Sequence, residues 1–274
     1  MIPFTKAHAC GNDFLIVTEQ AAAGHDLAEL TRRLCARNTG VGADGIEFFT
    51  WNESNFPVAK SGRIRLHNAD GSIAEISGNG TRCVAAWMAD ALDSKPGDDL
   101  KIETDAGLRV CSIEARHGHT VEVTTAMGVP AFAERTVQLV DGLAVAGVEV
   151  NTGNPHFVIV VDNPEFAVHG RPWRQIGAEI CVHRDFPHQT NVEFVHILGP
   201  SAIEISIFER GVGPTTSSGT GSSASAPAAL ALNGCVSPLA VTAPGGAQSV
   251  AWAGPGTELL LSGPAALIAR GEAW

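Results

Sequence analysis

Two short loops limit most strongly what this chain can fold into, because each of two motifs occurs twice in one register. Ser77-Gly78-Asn79-Gly80 precedes Thr81-Arg82-Cys83-Val84-Ala85-Ala86, and Ser218-Gly219-Thr220-Gly221 precedes Ser222-Ser223-Ala224-Ser225-Ala226, about 141 positions further on. Gly11-Asn12-Asp13-Phe14 is echoed by Gly153-Asn154-Pro155-His156 at nearly the same offset, about 142. One echo is within the reach of chance; two in one register point to an internal duplication. The expected fold is mixed, α+β, with two similar lobes, each made of many strands around one buried, Ala-rich helix.

A chain of 274 residues that is 45% hydrophobic fits two lobes of ordinary size. Strands are expected at Phe14 to Val17, Ile46 to Phe49, Arg63 to Leu66, Leu108 to Ile113, Thr120 to Thr124, Phe157 to Val161, Val192 to Ile197 and Ala202 to Phe208, each an apolar or β-branched run bounded by turn residues. Helices are expected at Asp26 to Cys35, Gly80 to Leu92 and Ser222 to Leu232.

A net charge of -11 would repel nucleic acid or an acidic membrane surface, so a small molecule is the natural partner. No apolar run approaches the ~20 residues that a membrane helix needs. The N-terminus lacks the basic start and apolar run of a signal peptide. Six cysteines lie far apart with no Cys-x-x-Cys pair, which predicts reduced, buried thiols and a cytoplasmic setting. The histidines show no metal-ligand spacing, and no glycine-rich loop has a nucleotide-binding pattern, so neither metal nor cofactor is expected.

A Ser-Gly-x-Gly turn that opens a helix presents backbone N–H groups and the positive end of the helix dipole, a natural seat for a carboxylate. Read alone, Ser77 and Ser218 are equally well N-caps. Asn12, Asn68, Asn154 and Asn191 lie in turn-like contexts, where an Asx-turn is the ordinary use. Glu209 and Arg210, at a strand end before Gly211, are either a surface pair or the complements of an ammonium and a carboxylate. An amino-acid-like ligand would unite these groups.

These motifs, with Thr39-Gly40-Val41-Gly42-Ala43-Asp44-Gly45, Asn68-Ala69-Asp70-Gly71-Ser72, Thr190-Asn191-Val192 and Glu209-Arg210-Gly211-Val212-Gly213, resemble the diaminopimelate epimerases in order from residue 6 to about residue 226. The resemblance implies two pseudo-symmetric lobes, each a β-barrel-like sheet around a central helix, with the active site in the cleft between them. Residues 1–116, completed by 264–274, would form the first lobe and 117–263 the second. It also implies a homodimer, no cofactor, and stereoinversion at an amino-acid α-carbon by two acid/base groups. Asn12, Asn68, Asn154, Asn191, Glu209 and Arg210 would grip the substrate, with the loop residues Gly78, Asn79, Gly219 and Thr220 holding its reacting carboxylate.

The resemblance departs at the chemistry: Ser77 and Ser218 stand where the family carries its two catalytic cysteines, and Pro214 stands where an acidic residue is expected. A thiol at a helix N-terminus ionises near neutral pH; a serine hydroxyl needs an adjacent base. His8, His67, His156, Cys10, Glu47 and Glu75 are the candidates by proximity to the motifs. Two other readings follow from the same residues. One is a proton-shifting isomerase or tautomerase acting on a more acidic substrate through a carboxylate such as Glu47 or Glu75. The other is an amino-acid-binding homologue, or a Cys-to-Ser variant, that does not turn its ligand over.

Overall fold

The computed structural model describes residues 1–52 and 60–274. The chain separates into two compact units, Met1–Ala126 with Ser262–Trp274, and Met127–Leu261.

In the first unit, β1 (Ile2–Ala9), β2 (Asn12–Thr18), β3 (Gly45–Trp51), β4 (Ser61–Asn68), β6 (Asp99–Thr104), β7 (Gly107–His117), β8 (Thr120–Gly128) and the end of β17 (Leu259–Ala273) follow one another around a closed barrel. β2 with β3 and β4 with β6 pair parallel, β1 pairs antiparallel with β2 and β17, and β3–β4, β6–β7 and β7–β8 are antiparallel; short β5 (Ile73–Ala74) adds to β4. Inside lies α2 (Gly78–Ala91), where Val84, Ala85, Ala86, Met88 and Ala89 are fully buried. A helix buried on every side needs small apolar residues all round, which explains its alanines. Outside, α1 (Leu27–Cys35) is capped by Asp26 and packs on β3 and β4. With helices on both faces, β3 is buried through Phe49 and lacks the alternation of a half-exposed strand.

The second unit repeats this pattern with β9 (Ala131–Gln138), β10 (Ala144–Asn151), β11 (Pro155–Val161), β12 (Asn191–Gly199), β13 (Ala202–Glu209), β15 (Leu239–Ala243) and β16 (Gly246–Ala251), with β14 (Gly213–Thr215) added to β13. Counted from β10, the strand that corresponds to β1, the second and fourth connections are again the parallel ones, β11 with β12 and β13 with β15. The register agrees residue by residue: Phe14 pairs with Gly45 and Ile16 with Glu47, just as His156 pairs with Asn191 and Val158 with Glu193. Here α4 (Gly219–Pro227) is the inner helix and α3 (Trp173–Cys181) the outer one.

A serine-rich helix is an odd choice for a buried site. In α4 the hydroxyls of Ser222, Ser223 and Ser225 each donate to the carbonyl four residues back, at 2.8 to 2.9 Å, so no side-chain polar group there is left unsatisfied. Pro227 withdraws one N–H from the ladder, and the chain continues as a π-helical turn, Ala228–Leu232.

The strand expectations all fall within observed strands; the helix expectations overrun α1 by its N-cap Asp26 and α2 by its C-cap Leu92, and α2 and α4 begin two and three residues earlier than expected, directly after Ser77 and Ser218. All six cysteines are buried thiols outside any disulfide. Among the described residues no helix is long and apolar enough to cross a membrane.

Candidate active site

In each unit the Gly-Asn turn and the Ser-Gly-x-Gly loop, far apart in sequence, meet. In the first unit Asn79 Nδ2 donates to Asn12 Oδ1 at 3.1 Å. In the second, Asn154 Nδ2 donates to Thr220 Oγ1 at 3.4 Å. The two echoes in the sequence are thus the two sides of one contact, made twice.

Both serines are N-caps. Ser77 Oγ accepts from Gly80 N at 3.0 Å and Ser218 Oγ from Gly221 N at 3.1 Å, each from an extended backbone. Helical bonding begins with Thr81 N to Ser77 O and Ser222 N to Ser218 O, so the first-turn amides, including those of Gly78 and Gly219, have no acceptor in the helix. The cap reading and the anion-seat reading therefore coexist: the serine oxygen satisfies one amide, and the earlier amides have no acceptor within the helix.

The first half-site is anchored by charge. Asn12 Nδ2 donates to Asp44 Oδ2 at 2.7 Å, which fixes the amide whose oxygen receives Asn79. Arg37 bridges Asp44 and Asp13 at 2.7 and 2.8 Å, and Lys6 reaches Asp13 at 2.9 Å. Burial alone would raise the Asp13 pKa, but hydrogen bonds from Arg37 and Lys6 outweigh it and hold the carboxyl below its ordinary value. Arg82, fully buried on α2, donates to Asn79 Oδ1 at 2.6 Å. Asn68 turns instead to its own turn, donating to Ser72 Oγ at 3.1 Å.

The second half-site contains a buried chain of polar groups. His156 Nδ1 lies 2.8 Å from Glu193 Oε1 and its Nε2 2.8 Å from Asn154 Oδ1. Asn154 meets Thr220, whose hydroxyl lies 3.3 Å from Ser218 Oγ. Asn191 Oδ1 accepts from Arg210 N at 2.9 Å, and its Nδ2 donates to Pro155 O at 3.1 Å, so the asparagine holds the end of β13, where Glu209 and Arg210 sit half-buried. The Arg210 guanidinium donates to His188 O at 3.2 Å.

Of the residues proposed as bases, His67 is on the wrong face. It pairs with Ile46, which packs toward α1, and it sits edge-on to Phe48 at 5.3 Å. Burial lowers its pKa and keeps it neutral. His8 accepts from Gly11 N at 3.3 Å, within the Gly-Asn turn. Glu75 is half-buried ahead of Ser77, and Cys10 is buried with a left-handed backbone, φ 51. The buried thiols Cys35 and Cys111 are pushed up to about 12 and about 11 by desolvation, and Cys83 is raised too, so none of these supplies a thiolate at neutral pH.

Sequence reasoning passed over Glu193 and Asp44. The only trace of Glu193 is a carboxylate inside the apolar run Val192 to Val195, at the register place that Glu47 holds in the first unit.

The fold, two mixed α/β units of one topology, is shared with solved epimerases and isomerases. A hydroxyproline epimerase from Agrobacterium vitis superposes with a TM-score of 0.71 at 17% identity, over 98% of this chain and 90% of that one. A phenazine biosynthesis protein of Bacillus anthracis gives 0.69 at 17% identity, over 99% and 98%. The diaminopimelate epimerase family profile matches residues 4–133 and 148–268, and the diaminopimelate epimerase of Pseudomonas syringae pv. syringae is 32% identical over 99% of both chains. The chain belongs to the diaminopimelate epimerase family.

Proposed function

We propose that this chain inverts the configuration of an amino-acid α-carbon, with diaminopimelate as its substrate, by proton transfer involving Ser77 and Ser218 and without a cofactor. The observation that carries this reading is the doubled assembly: a hydroxyl at a helix N-terminus, on a glycine loop whose third residue is tied to an asparagine. Inversion requires one group to take the α-proton while another delivers a proton to the opposite face, and a duplicated half-site supplies two equivalent groups. The first-turn amides at Gly78, Asn79, Gly219 and Thr220 stabilise the charge that develops on the substrate carboxylate as the carbanion forms. Asn12, Asn68, Asn154, Asn191, Glu209 and Arg210 hold the amino and carboxylate groups. Family membership supports the substrate, a place in lysine biosynthesis, a cytoplasmic setting and a homodimer.

LL-diaminopimelate incubated with the protein alone is expected to yield the meso isomer, resolved by chiral chromatography. Dialysis against a chelator leaves the rate unchanged, and Ser77→Ala or Ser218→Ala each lowers it about 100-fold or more. No meso product above the buffer control, across diaminopimelate isomers, would refute the reading.

A further inference from the structure

We infer that Glu47 is the proton-exchanging partner of Ser77, giving the first half-site the titratable group that its serine lacks; this rests on the epimerase reading above. Glu47 lies on β3 between Gly45 and Phe49, opposite Ile16 of β2 and Leu66 of β4. Ile16, Leu66 and Phe49 belong to the core around α2, so the carboxyl points into the barrel toward that helix. It is fully buried, and neither oxygen has a hydrogen-bond partner. A β-carbon on Gly80 would overlap Glu47 Oε1 and would stand 3.2 Å from Ser77 Cβ. The carboxyl and the serine thus border the same small space over the Gly80 backbone, a space open only because residue 80 has no side chain.

A buried carboxyl with no partner is costly, and nothing in the surrounding core offsets it. The duplication shows what a purely structural solution looks like. Glu193 holds the same register place and is also fully buried, and a β-carbon on Gly221 would lie 2.7 Å from its Oε1 and 3.3 Å from Ser218 Oγ. There His156 binds the carboxylate. In the first unit the residue equivalent to His156 is Phe14, so Glu47 keeps its proton-binding capacity unspent beside the serine loop.

The other ionisable groups on the adjoining elements do not neutralise it. Asp13 on β2 and Arg65 and His67 on β4 belong to the opposite face, and on α2 Arg82 binds Asn79 while Cys83 is a thiol held protonated by burial. Desolvation alone pushes Glu47 up to about 8.

The step balances without any added reactant. As the substrate Cα–H bond breaks, its proton passes to Ser77 Oγ while the serine O–H proton passes to the Glu47 carboxylate through one water over Gly80, since the two side chains are not hydrogen-bonded to each other; the electron pair stays on the α-carbon, delocalised into the substrate carboxylate. In the reverse direction protonated Glu47 returns a proton through Ser77 to the α-carbon.

The test is exchange of the α-hydrogen of LL-diaminopimelate for deuterium, followed by NMR from about pH 6 to about pH 10. For the parent protein the rate should show an inflection near pH 8. Glu47→Gln should lower the rate about 100-fold or more and abolish that inflection while the protein stays folded. Glu47→Asp, which keeps the acid but withdraws it by one methylene, should retain part of the rate with a displaced inflection, and an undisplaced inflection there overturns the proposal even if the amide variant fails to fold. An active parent whose Gln variant keeps the same rate and pH profile overturns the role of Glu47 and leaves the epimerase reading standing. A parent that exchanges nothing at any pH overturns both.

Discussion

At about pH 9, Glu47→Gln is expected to be more stable to urea than the parent protein by on the order of 4 kcal/mol, whereas below about pH 4 the two should unfold alike. In the folded chain burial raises the Glu47 pKa to about 8, well above the value it regains on unfolding. Between those two values the folded state holds a proton that the unfolded state has released. Parent stability therefore falls as pH climbs through this window and levels off above about 8. The amide carries no such linkage, so the gap between variant and parent opens over the same window. Urea denaturation at three pH values measures it, and parallel stability curves would show that Glu47 ionises in the fold as easily as outside it.

The opposite sign is expected in the second unit. His156 and Glu193 are both fully buried and 2.8 Å apart. Because Asn154 Oδ1 accepts from Nε2, the imidazole carries its proton there, and Nδ1 and Glu193 Oε1 share one further proton. His156→Phe installs the residue that the first unit has at Phe14 and leaves Glu193 with neither oxygen bonded, since its Oε2 already has no partner. The expected cost is about 3–5 kcal/mol at neutral pH. Adding Glu193→Leu should recover most of it, because the buried carboxyl left without a partner is then gone. A urea-based double-mutant cycle reads the coupling directly; additive costs would mean that the two side chains stabilise the unit independently.

Much of this was legible in the residues. The doubled Gly-Asn and Ser-Gly-x-Gly motifs announced a repeated mixed fold around Ala-rich helices, and Asp26 and the start of the apolar period marked α1. What escaped did so for identifiable reasons. β10, β15 and β17 are built from Ala, Gly and Pro as much as from β-branched residues, so they carry little strand signal; their conformation is set by pairing with neighbours. α3 begins at Trp173 after Pro172 with no side-chain cap, so its start lacks the usual marker. The starts of α2 and α4 fell early because glycines disfavour helix by propensity, and here the capping serines override that.

At the site, proximity in sequence was a poor guide to proximity in space. His67 is adjacent to Asn68, yet strand alternation sends it to the α1 face. His156, two residues beyond Asn154, is brought back to it because alternation returns to the same face. The partners that matter most to each carboxyl, Gly80 for Glu47 and His156 for Glu193, come from elements that only the tertiary pairing brings together.

Stereoinversion by this serine-bearing duplicate requires that the substrate's α-hydrogen leave and be replaced. It is tested most directly by following the α-hydrogen of diaminopimelate by proton NMR in deuterium oxide, with the parent protein beside the double variant Ser77→Cys, Ser218→Cys. The parent itself is expected to exchange the α-hydrogen for deuterium and to invert the centre. Exchange by the cysteine variant alone would contradict it, and would leave the parent as a member of the family that binds an amino acid without turning it over.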